Sequence, residues 1–233
     1  MNNEPTNEPQ AVIERYARRV VDDRYSLLKP DVWQTVQERQ RAMLRLFARL
    51  GWHDLSTRRL TEVGCGGGGN LLELLRVGFS PEHLTGIELL PERYAQARHA
   101  LPAATTIHAG DATRASIAPE SQDVVLQATV FSSLLDDAFQ QQLAAAMWRW
   151  VKPRGGVLWY DFTVDNPRNP DVRGVPLARV RELFPLGVLS HQRVTLAPPI
   201  ARRVSRVHPS LYTVFNLLPA LRTHVLCWIQ KPQ

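Results

Sequence analysis

The chain has 233 residues, 44% hydrophobic and 21% charged, which is the composition of an ordinary globular protein. This length suits one large domain with appendages and argues against two full-sized domains. The longest apolar runs fall far short of the roughly 18 residues that a membrane span requires. The cysteines, Cys65 and Cys227, are too few for a disulfide framework or a zinc cluster. The polar N-terminus lacks the features of a signal peptide, so we expect a cytoplasmic protein.

The net charge of +6 is distributed unevenly. Residues 1–60 carry 11 Arg and Lys against 8 Asp and Glu, residues 61–165 carry 7 against 12, and residues 166–233 carry 10 against 2. The positive excess is therefore C-terminal, and almost all of it is arginine, whose planar guanidinium binds carboxylate or phosphate with two hydrogen bonds.

The N-terminal quarter is predicted to be helical. Residues 1–10 are polar and predict a disordered leader. Apolar residues then recur at helical spacing over residues 11–25 and 31–50. We expect residues 11–57 to form a helical cap on a domain that covers residues 58–233.

From residue 58 onward, short strands alternate with helices. The pattern predicts strands at 59–63, 83–88, 105–108, 123–127 and 157–162, helices at 70–77, 91–100 and 136–151, and a turn at 152–156. Such alternation predicts a doubly wound α/β fold with a parallel sheet. A helix at 177–184 and strands at 188–196 and 224–230 follow, with a basic insertion on the acceptor side at about 197–221.

A glycine-rich turn joins the first strand to the following helix. There the backbone can approach a ligand, and the start of the helix offers unpaired N–H groups. Gly64, Gly66 and Gly69 fit a dinucleotide fingerprint, whereas Glu62, Gly64, Gly66 and Gly68 fit a loop that binds S-adenosylmethionine. The loop alone leaves both cofactors open.

Two carboxylates follow at the ends of the next two strands. Glu88 lies 20 residues beyond Gly68, where it can accept hydrogen bonds from both hydroxyls of a ribose. Asp111 follows Gly110 and places a second carboxylate over the same edge of the sheet. A nicotinamide enzyme would normally need a second mononucleotide half, which the pattern after residue 163 does not show.

Taken in order, four segments resemble the class I S-adenosylmethionine-dependent methyltransferases. They are Glu62-Val63-Gly64-Cys65-Gly66-Gly67-Gly68, Gly86-Ile87-Glu88, Gly110-Asp111-Ala112 and Lys152-Pro153-Arg154-Gly155-Gly156. The resemblance covers about residues 58–163. It implies a Rossmann-like, seven-stranded sheet, mostly parallel with an antiparallel last strand, and S-adenosyl-L-methionine as cofactor, released as S-adenosyl-L-homocysteine.

The resemblance also implies roles for individual residues. The glycine loop would lie against the methionine part of the cofactor, Glu88 would bind the ribose, and Asp111 the adenine amine. Gln127 would lie beside the sulfonium. The expected cofactor contacts are Glu62, Gly64, Cys65, Gly66, Gly68, Asn70, Glu88, Leu89, Asp111, Ala112 and Gln127.

The acceptor side is less determined. The end of strand four reads Gln127-Ala128-Thr129, without the carboxylates of metal-assisted members or the Asn/Asp-Pro-Pro-aromatic motif of base-methylating members, so we predict no metal. Phe131 and Ser132 could line an acceptor pocket or simply lead into the next helix. Arg202, Arg203 and Arg206 could hold an anionic acceptor.

Four residues are candidates for catalysis. Asp161 and Tyr160 end strand five, where side chains can point into the ligand crevice. Alternation along a strand lets only one of them face the site, and of the two we favour Asp161, whose alternative role is a structural hydrogen bond to the following turn. His208 and His224 could act as bases or could be packing histidines. Tyr16 and Tyr25 are candidates for a lid.

These patterns predict a methyltransferase for a small-molecule or glycan-type acceptor, with oxygen favoured over nitrogen as the methylated atom. One alternative is an RNA methyltransferase that contacts phosphates through the basic C-terminal third. A second is a domain that binds S-adenosylmethionine without catalysis. The oligomeric state is left open.

Overall fold

A computed structural model describes residues 7–19, 23, 26–167 and 169–233. Its seven strands are β1 (Leu60–Val63), β2 (Leu84–Glu88), β3 (Thr106–Ala109), β4 (Gln122–Ala128), β5 (Val151–Phe162), β6 (Val188–Leu196) and β7 (Arg222–Gln230). The helices are α1 (Glu8–Ala17), α2 (Pro30–Arg49), α3 (Gly69–Arg76), α4 (Pro91–Ala100), α5 (Asp137–Trp150), α6 (Leu177–Leu183), α7 (Pro198–Val207) and α8 (Ser210–Asn216).

All seven strands form one sheet in the order β3-β2-β1-β4-β5-β7-β6. Strands β1 to β5 pair in parallel, and β7 runs antiparallel to both β5 and β6. The predicted doubly wound sheet with an antiparallel last strand is therefore confirmed. The strand order reverses between β1 and β4, and a sheet of this kind binds its ligand outside the carboxyl ends of the strands at such a point.

The sheet is buried on both faces, as expected for parallel strands between helices. Because side chains alternate along a strand, Trp159 of β5 packs on one face with α1, α5 and α6. Its neighbour Leu158 packs on the other face with α2, α3 and α4. The face to which a strand residue points therefore decides which helices it can contact.

The prediction of a turn at residues 152–156 is wrong, because these residues belong to β5. They form a bulge in which Val151 pairs with Gln122 and Gly156 already pairs with Val124. Arg154 adopts a φ of +66° within it. Gly155 and Gly156 allow this bulge to form, because a Cβ at Gly155 would lie only 2.8 Å from a backbone oxygen.

The remaining differences are at the two ends of the chain. Helix α1 begins at Glu8, with a proline in its first turn, so the predicted start at residue 11 is three residues late. The basic segment at about 197–221 contains α7 and α8, which enclose a small core of Leu196, Ala201 and Tyr212. None of the described helices is both long and apolar enough to cross a membrane.

Candidate functional site

The glycine loop turns sharply at the carboxyl end of β1. Gly64, Gly66 and Gly68 have φ values of +65°, +56° and +87°, a left-handed conformation that favours glycine. The Gly64 N–H donates to the carbonyl of Ile87 over 2.8 Å. A Cβ at Gly64 would lie 2.5 Å from a methyl carbon of Val130. The loop is thus packed between the ends of β2 and β4.

Glu88 fixes this loop from the end of β2. Its carboxylate accepts one hydrogen bond from the N–H of Gly66 over 2.7 Å and another from the N–H of Leu90 over 2.9 Å. The residue is only 5% exposed. Each oxygen of an ionised carboxylate has a second lone-pair site, so Glu88 can hold the loop and still accept bonds from a ligand.

Asp111 stands beside Glu88 because β3 pairs with β2. The left-handed turn at Gly110 (φ +107°) lets its N–H donate to the carbonyl of Glu88 over 2.8 Å. The Asp111 carboxylate then accepts from the backbone N–H and the hydroxyl of Thr113, over 2.9 and 2.8 Å. Two carboxylates therefore lie at adjacent strand ends, both held in place by backbone donors.

These groups face one cavity that is partly open to solvent. Five of the predicted cofactor contacts line it: Gly64, Glu88, Leu89, Asp111 and Ala112. Its other walls include Thr129, Val130, Ser133 and Leu134 from the stretch after β4, and Pro9, Val12, Leu90, Arg93, Phe139 and Leu143, which no motif predicted. The far walls come from α1 and α5, which carry no motif that sequence reasoning could use.

Other predicted cofactor contacts lie behind the loop instead. Glu62 is fully buried and accepts from the side-chain amide of Asn70 over 2.6 Å, and Asn70 in turn accepts from Arg39 of α2 over 2.6 Å. Burial raises the pKa of Glu62 to about 7, although Asn70 and Arg39 oppose the shift. Cys65 is also buried, and its desolvation raises the thiol pKa. These three predicted residues support the loop from the α2 side.

Gln127 organises the turn after β4. Its amide oxygen accepts from the N–H of Val130 over 3.0 Å, and its amide nitrogen donates to the carbonyl of Tyr160 over 3.4 Å. The next turn residue, Thr129, has a φ of +59° and lines the cavity. A non-glycine residue held in this conformation costs about 1–3 kcal/mol and is concentrated at functional sites.

Asp161 lies on the cavity face of the sheet but behind its wall. Its fully buried carboxylate accepts from the N–H groups of Ser132 and Phe162, over 3.1 and 3.0 Å. Burial raises the pKa of Asp161 to about 7, against the lowering effect of these hydrogen bonds. Ser132 and Phe131 are buried as well, and the Phe131 ring packs 4.5 Å from that of Trp159. Asp161 thus holds the 131–133 turn that forms the cavity wall.

Tyr160 and His224 lie on the opposite face of the sheet. The Tyr160 hydroxyl is 2.8 Å from that of Thr195, and its ring stacks on His224 at 5.1 Å. Burial raises the pKa of Tyr160. Burial, with a contribution from Arg39, lowers the pKa of His224 to about 4, so this histidine is neutral at pH 7. The structure does not bring this pair to the cavity.

The remaining candidates lie on the C-terminal helices. His208 is exposed at the end of α7, where its Nδ1 is 3.2 Å from the N–H of Ser210. Arg202, Arg203 and Arg206 are exposed on α7. None of these four side chains is among the described residues that line the cavity.

Helix α1 covers the cavity through a buried ion pair. Arg15 and Glu8 are 2.5 Å apart and both nearly inaccessible. Arg15 also donates to the carbonyl of Ser133, and Glu8 accepts from the N–H of Leu135 over 2.7 Å. Tyr16, one of the two lid candidates, lines the cavity. The other, Tyr25, lies outside the described residues.

Comparison with known proteins supports the resemblance. Residues 61–155 match the family model described as Methyltransferase domain. This segment of the chain is therefore similar to methyltransferase domains, in agreement with the resemblance to the class I S-adenosylmethionine-dependent methyltransferases. The matched segment runs from β1 to the bulge of β5, and it therefore contains the glycine loop, both carboxylates and the strained end of β4.

Three proteins illustrate what this chain is similar to. The chain is 32% identical over 151 residues to phthiotriol/phenolphthiotriol dimycocerosates methyltransferase 1 of Mycobacterium ulcerans, covering 62% of this chain and 54% of that protein. It is 33% identical over 132 residues to the corresponding methyltransferase of Mycobacterium leprae, covering 55% and 47%. The chain thus spans about half the length of these curated relatives.

The third is a solved structure with the same fold. Phosphoethanolamine N-methyltransferase 2 of Haemonchus contortus, in complex with phosphomonomethylethanolamine and S-adenosylhomocysteine, superposes with a TM-score of 0.63 at 17% identity. The superposition covers 95% of this chain and 61% of that one.

Within the described ranges, no group of three or more His, Cys, Asp or Glu side chains is placed to hold a metal ion.

Proposed function

We propose that this protein transfers a methyl group from S-adenosylmethionine to a hydroxyl of a small, largely apolar, lipid-type acceptor. The observation that carries the proposal is the arrangement of the glycine loop, Glu88 and Asp111 around one cavity with apolar far walls.

The residues present fit the cofactor. Glu88 and Asp111 lie at adjacent strand ends, and their carboxylates can accept from ribose hydroxyls and from an exocyclic amine. Gly64 brings the backbone of the glycine loop to the cavity. When bound, S-adenosylmethionine supplies a methyl group on a positively charged sulfur, which is a leaving group that needs no further activation.

The rest of the cavity supports an apolar acceptor. Val12 from α1, Leu134, and Phe139 and Leu143 from α5 form a continuous hydrophobic wall. Among the described lining residues the charged side chains are Glu88, Asp111 and Arg93. An acyl chain gains free energy by leaving water for such a wall, whereas a phosphorylated acceptor would require more basic partners.

Oxygen as the methylated atom is favoured by the relatives. The printed names of both mycobacterial proteins include phthiotriol, a triol by its name. In such a transfer the acceptor oxygen would form a bond to the methyl carbon while the carbon–sulfur bond breaks with its electron pair on sulfur, and the hydroxyl proton would pass to solvent at the open side of the cavity. Positioning of the two reactants can supply much of the rate.

The turn after β4 is the part of this chain that would position the acceptor. Thr129 is strained at the cavity, and its carbonyl accepts from the hydroxyls of Ser132 and Ser133 over 3.3 and 3.4 Å. Asp161 anchors the same turn from behind. We assign Asp161 to positioning, because its carboxylate is buried away from the cavity.

The test is methyl transfer from ¹³C-labelled S-adenosylmethionine into cell extract separated into hydroxylated lipids, polar small molecules with glycans, and RNA. We expect label in the lipid fraction, with the ¹³C chemical shift of an O-methyl carbon. The variant Glu88→Gln should label more slowly, whereas Glu92→Gln, an exposed neighbour of equal charge, should match the wild type.

The other outcomes are equally clear. Label in RNA would favour the RNA methyltransferase alternative and overturn the lipid acceptor. Label in the polar fraction would indicate that the acceptor is a glycan or another polar small molecule and would overturn the lipid acceptor. Calorimetric binding of S-adenosylmethionine with no S-adenosylhomocysteine from any fraction would favour a binding domain without catalysis, and binding of NAD alone would remove the cofactor assignment.

A further inference from the structure

The outer side of α7 is basic and unopposed. The helix buries Ala201 and Ser205 against the sheet edge and leaves Arg202, Arg203 and Arg206 exposed. None of these three arginines forms an ion pair with a described residue. Residues 184–233 contain six Arg and Lys and no Asp or Glu. This segment therefore carries positive charge without an acidic residue of its own, and Glu38 of α2, which reaches it, accepts from the Tyr212 hydroxyl and the Thr195 N–H.

The same end exposes large apolar side chains. Val207 at the end of α7 is 78% exposed, and Leu217 and Leu218 after α8 are 70% and 56% exposed. Val214 and Phe215 of α8 are exposed too. Single exposed apolar residues are common on the surfaces of soluble proteins, but five of them within twelve residues indicate an interaction site. We call the exposed side chains of residues 202–218 the α7–α8 surface.

Three kinds of partner could cover this surface, and its chemistry favours one. A second copy of the chain would bring these arginines close to each other, where like charges repel. Nucleic acid would satisfy the arginines, but its phosphates offer nothing to exposed leucine and valine. An anionic bilayer satisfies both, because arginine binds the headgroups while apolar side chains enter the boundary with the acyl chains.

We propose that the α7–α8 surface docks this protein onto an anionic phospholipid membrane. The docking is peripheral: two short helices lie at the headgroup level and nothing crosses the bilayer. The inference rests on exposed side chains and charge, so it does not depend on the proposed acceptor. A membrane-bound position would nevertheless bring the enzyme to the place where lipid-type acceptors are concentrated.

Flotation of the full chain with vesicles tests the proposal. We expect binding to vesicles of equal parts phosphatidylcholine and phosphatidylglycerol, weak binding to pure phosphatidylcholine, and loss of binding as salt is raised toward 1 M. Each arginine near such a surface contributes about five-fold in affinity, so the triple variant Arg202→Gln, Arg203→Gln, Arg206→Gln should bind roughly 100-fold more weakly.

The apolar contribution is tested separately. The double variant Leu217→Ser, Leu218→Ser should weaken vesicle binding about ten-fold or more. Leu186→Ser, at a residue 72% exposed outside this surface, is the matched control and should bind like the wild type. Unchanged melting temperatures show that the variants are folded.

Failure has definite forms. Absence of vesicle binding by the wild type would overturn the proposal, as would binding that neither the arginine nor the leucine variants weaken. Self-association that the leucine variants abolish, without vesicle binding, would assign the surface to a second copy. RNA binding without vesicle binding would assign it to nucleic acid. Because flotation needs neither cofactor nor acceptor, these results are independent of the proposed methyl transfer.

Discussion

Glu88 offers the sharpest test of the cofactor site, because its carboxylate has two tasks. It accepts from the N–H groups of Gly66 and Leu90, one on each oxygen. In Glu88→Gln one oxygen becomes an NH₂ group, which must then face a backbone N–H. One charge-assisted hydrogen bond within the protein is lost, and the bonds that remain no longer have a charged acceptor.

The size of the effect follows from these bonds. A hydrogen bond to a charged group contributes about 1.5–3 kcal/mol, so losing one to the ribose should weaken S-adenosylmethionine binding about ten-fold to about 100-fold. Loss of the internal bond should lower the melting temperature by about 3–12 °C for a chain of this length. The variant should remain folded at 25 °C.

Isothermal titration calorimetry measures the binding at that temperature. Glu92→Gln removes the same charge at an exposed position on α4 and should leave the dissociation constant unchanged. If Glu88→Gln bound the cofactor as tightly as the wild type while its melting temperature fell, Glu88 would be a loop anchor only. The assignment of the ribose to Glu88 would then be refuted.

Three further predictions concern the surroundings of the cavity. Burial raises the pKa of Glu62 from 4.5 to about 7. Between pH 4.5 and pH 7 the folded protein therefore keeps a proton on Glu62 that the unfolded chain loses, so the stability of the wild type falls as pH rises through this range. The melting temperature of Glu62→Gln relative to wild type should therefore rise from pH 4.5 to 7 and then level off, and a constant difference would contradict this. Gly64→Ala should destabilise the protein far more than Gly51→Ala. Both glycines have a positive φ, but only a Cβ at Gly64 would lie 2.5 Å from a valine methyl carbon. Equal losses in the free energy of unfolding, measured with urea, would show that close packing at Gly64 is unimportant. Arg15→Met leaves the buried carboxylate of Glu8 without its partner, which costs about 3–5 kcal/mol of stability, and should speed proteolysis within α1. The control Arg18→Met breaks an exposed ion pair and should leave the rate of proteolysis unchanged. Equal rates for the two variants would contradict the docking of α1 by its buried ion pair.

Much of the fold was predictable because its signals are local. The strand at residues 188–196 and the helix at 91–100 were predicted with the bounds that the structure shows. The bulge at 152–156 was missed because Pro and Gly usually end a strand, and only the pairing of Gly156 with β4 shows that the strand has already begun. Long-range pairing of that kind leaves no trace in a single sequence.

The site divides in the same way. Glu88 and Asp111 could be placed from the sequence, because strand ends of a parallel sheet meet at one edge. The opposite outcome at Tyr160 follows from alternation: its neighbour Asp161 shares the cavity face, so Tyr160 must face α2. Alternation does not show how deeply a side chain is buried. Asp161 has the correct face, yet the 131–133 turn covers it, and the Ser132 N–H of that turn donates to its carboxylate.

The division between predictable and unpredictable residues has a functional meaning. The residues proposed to contact the cofactor follow β1, β2 and β3 and are fixed by backbone hydrogen bonds, so they are local and constrained. The apolar wall comes instead from α1 and α5, which reach the cavity only through tertiary packing, with α1 held by the Arg15 and Glu8 pair. Substitutions in that wall can change the shape offered to an acceptor without disturbing Glu88 or Asp111. We therefore expect acceptor choice to reside in α1 and α5 and cofactor choice to reside in the strand ends.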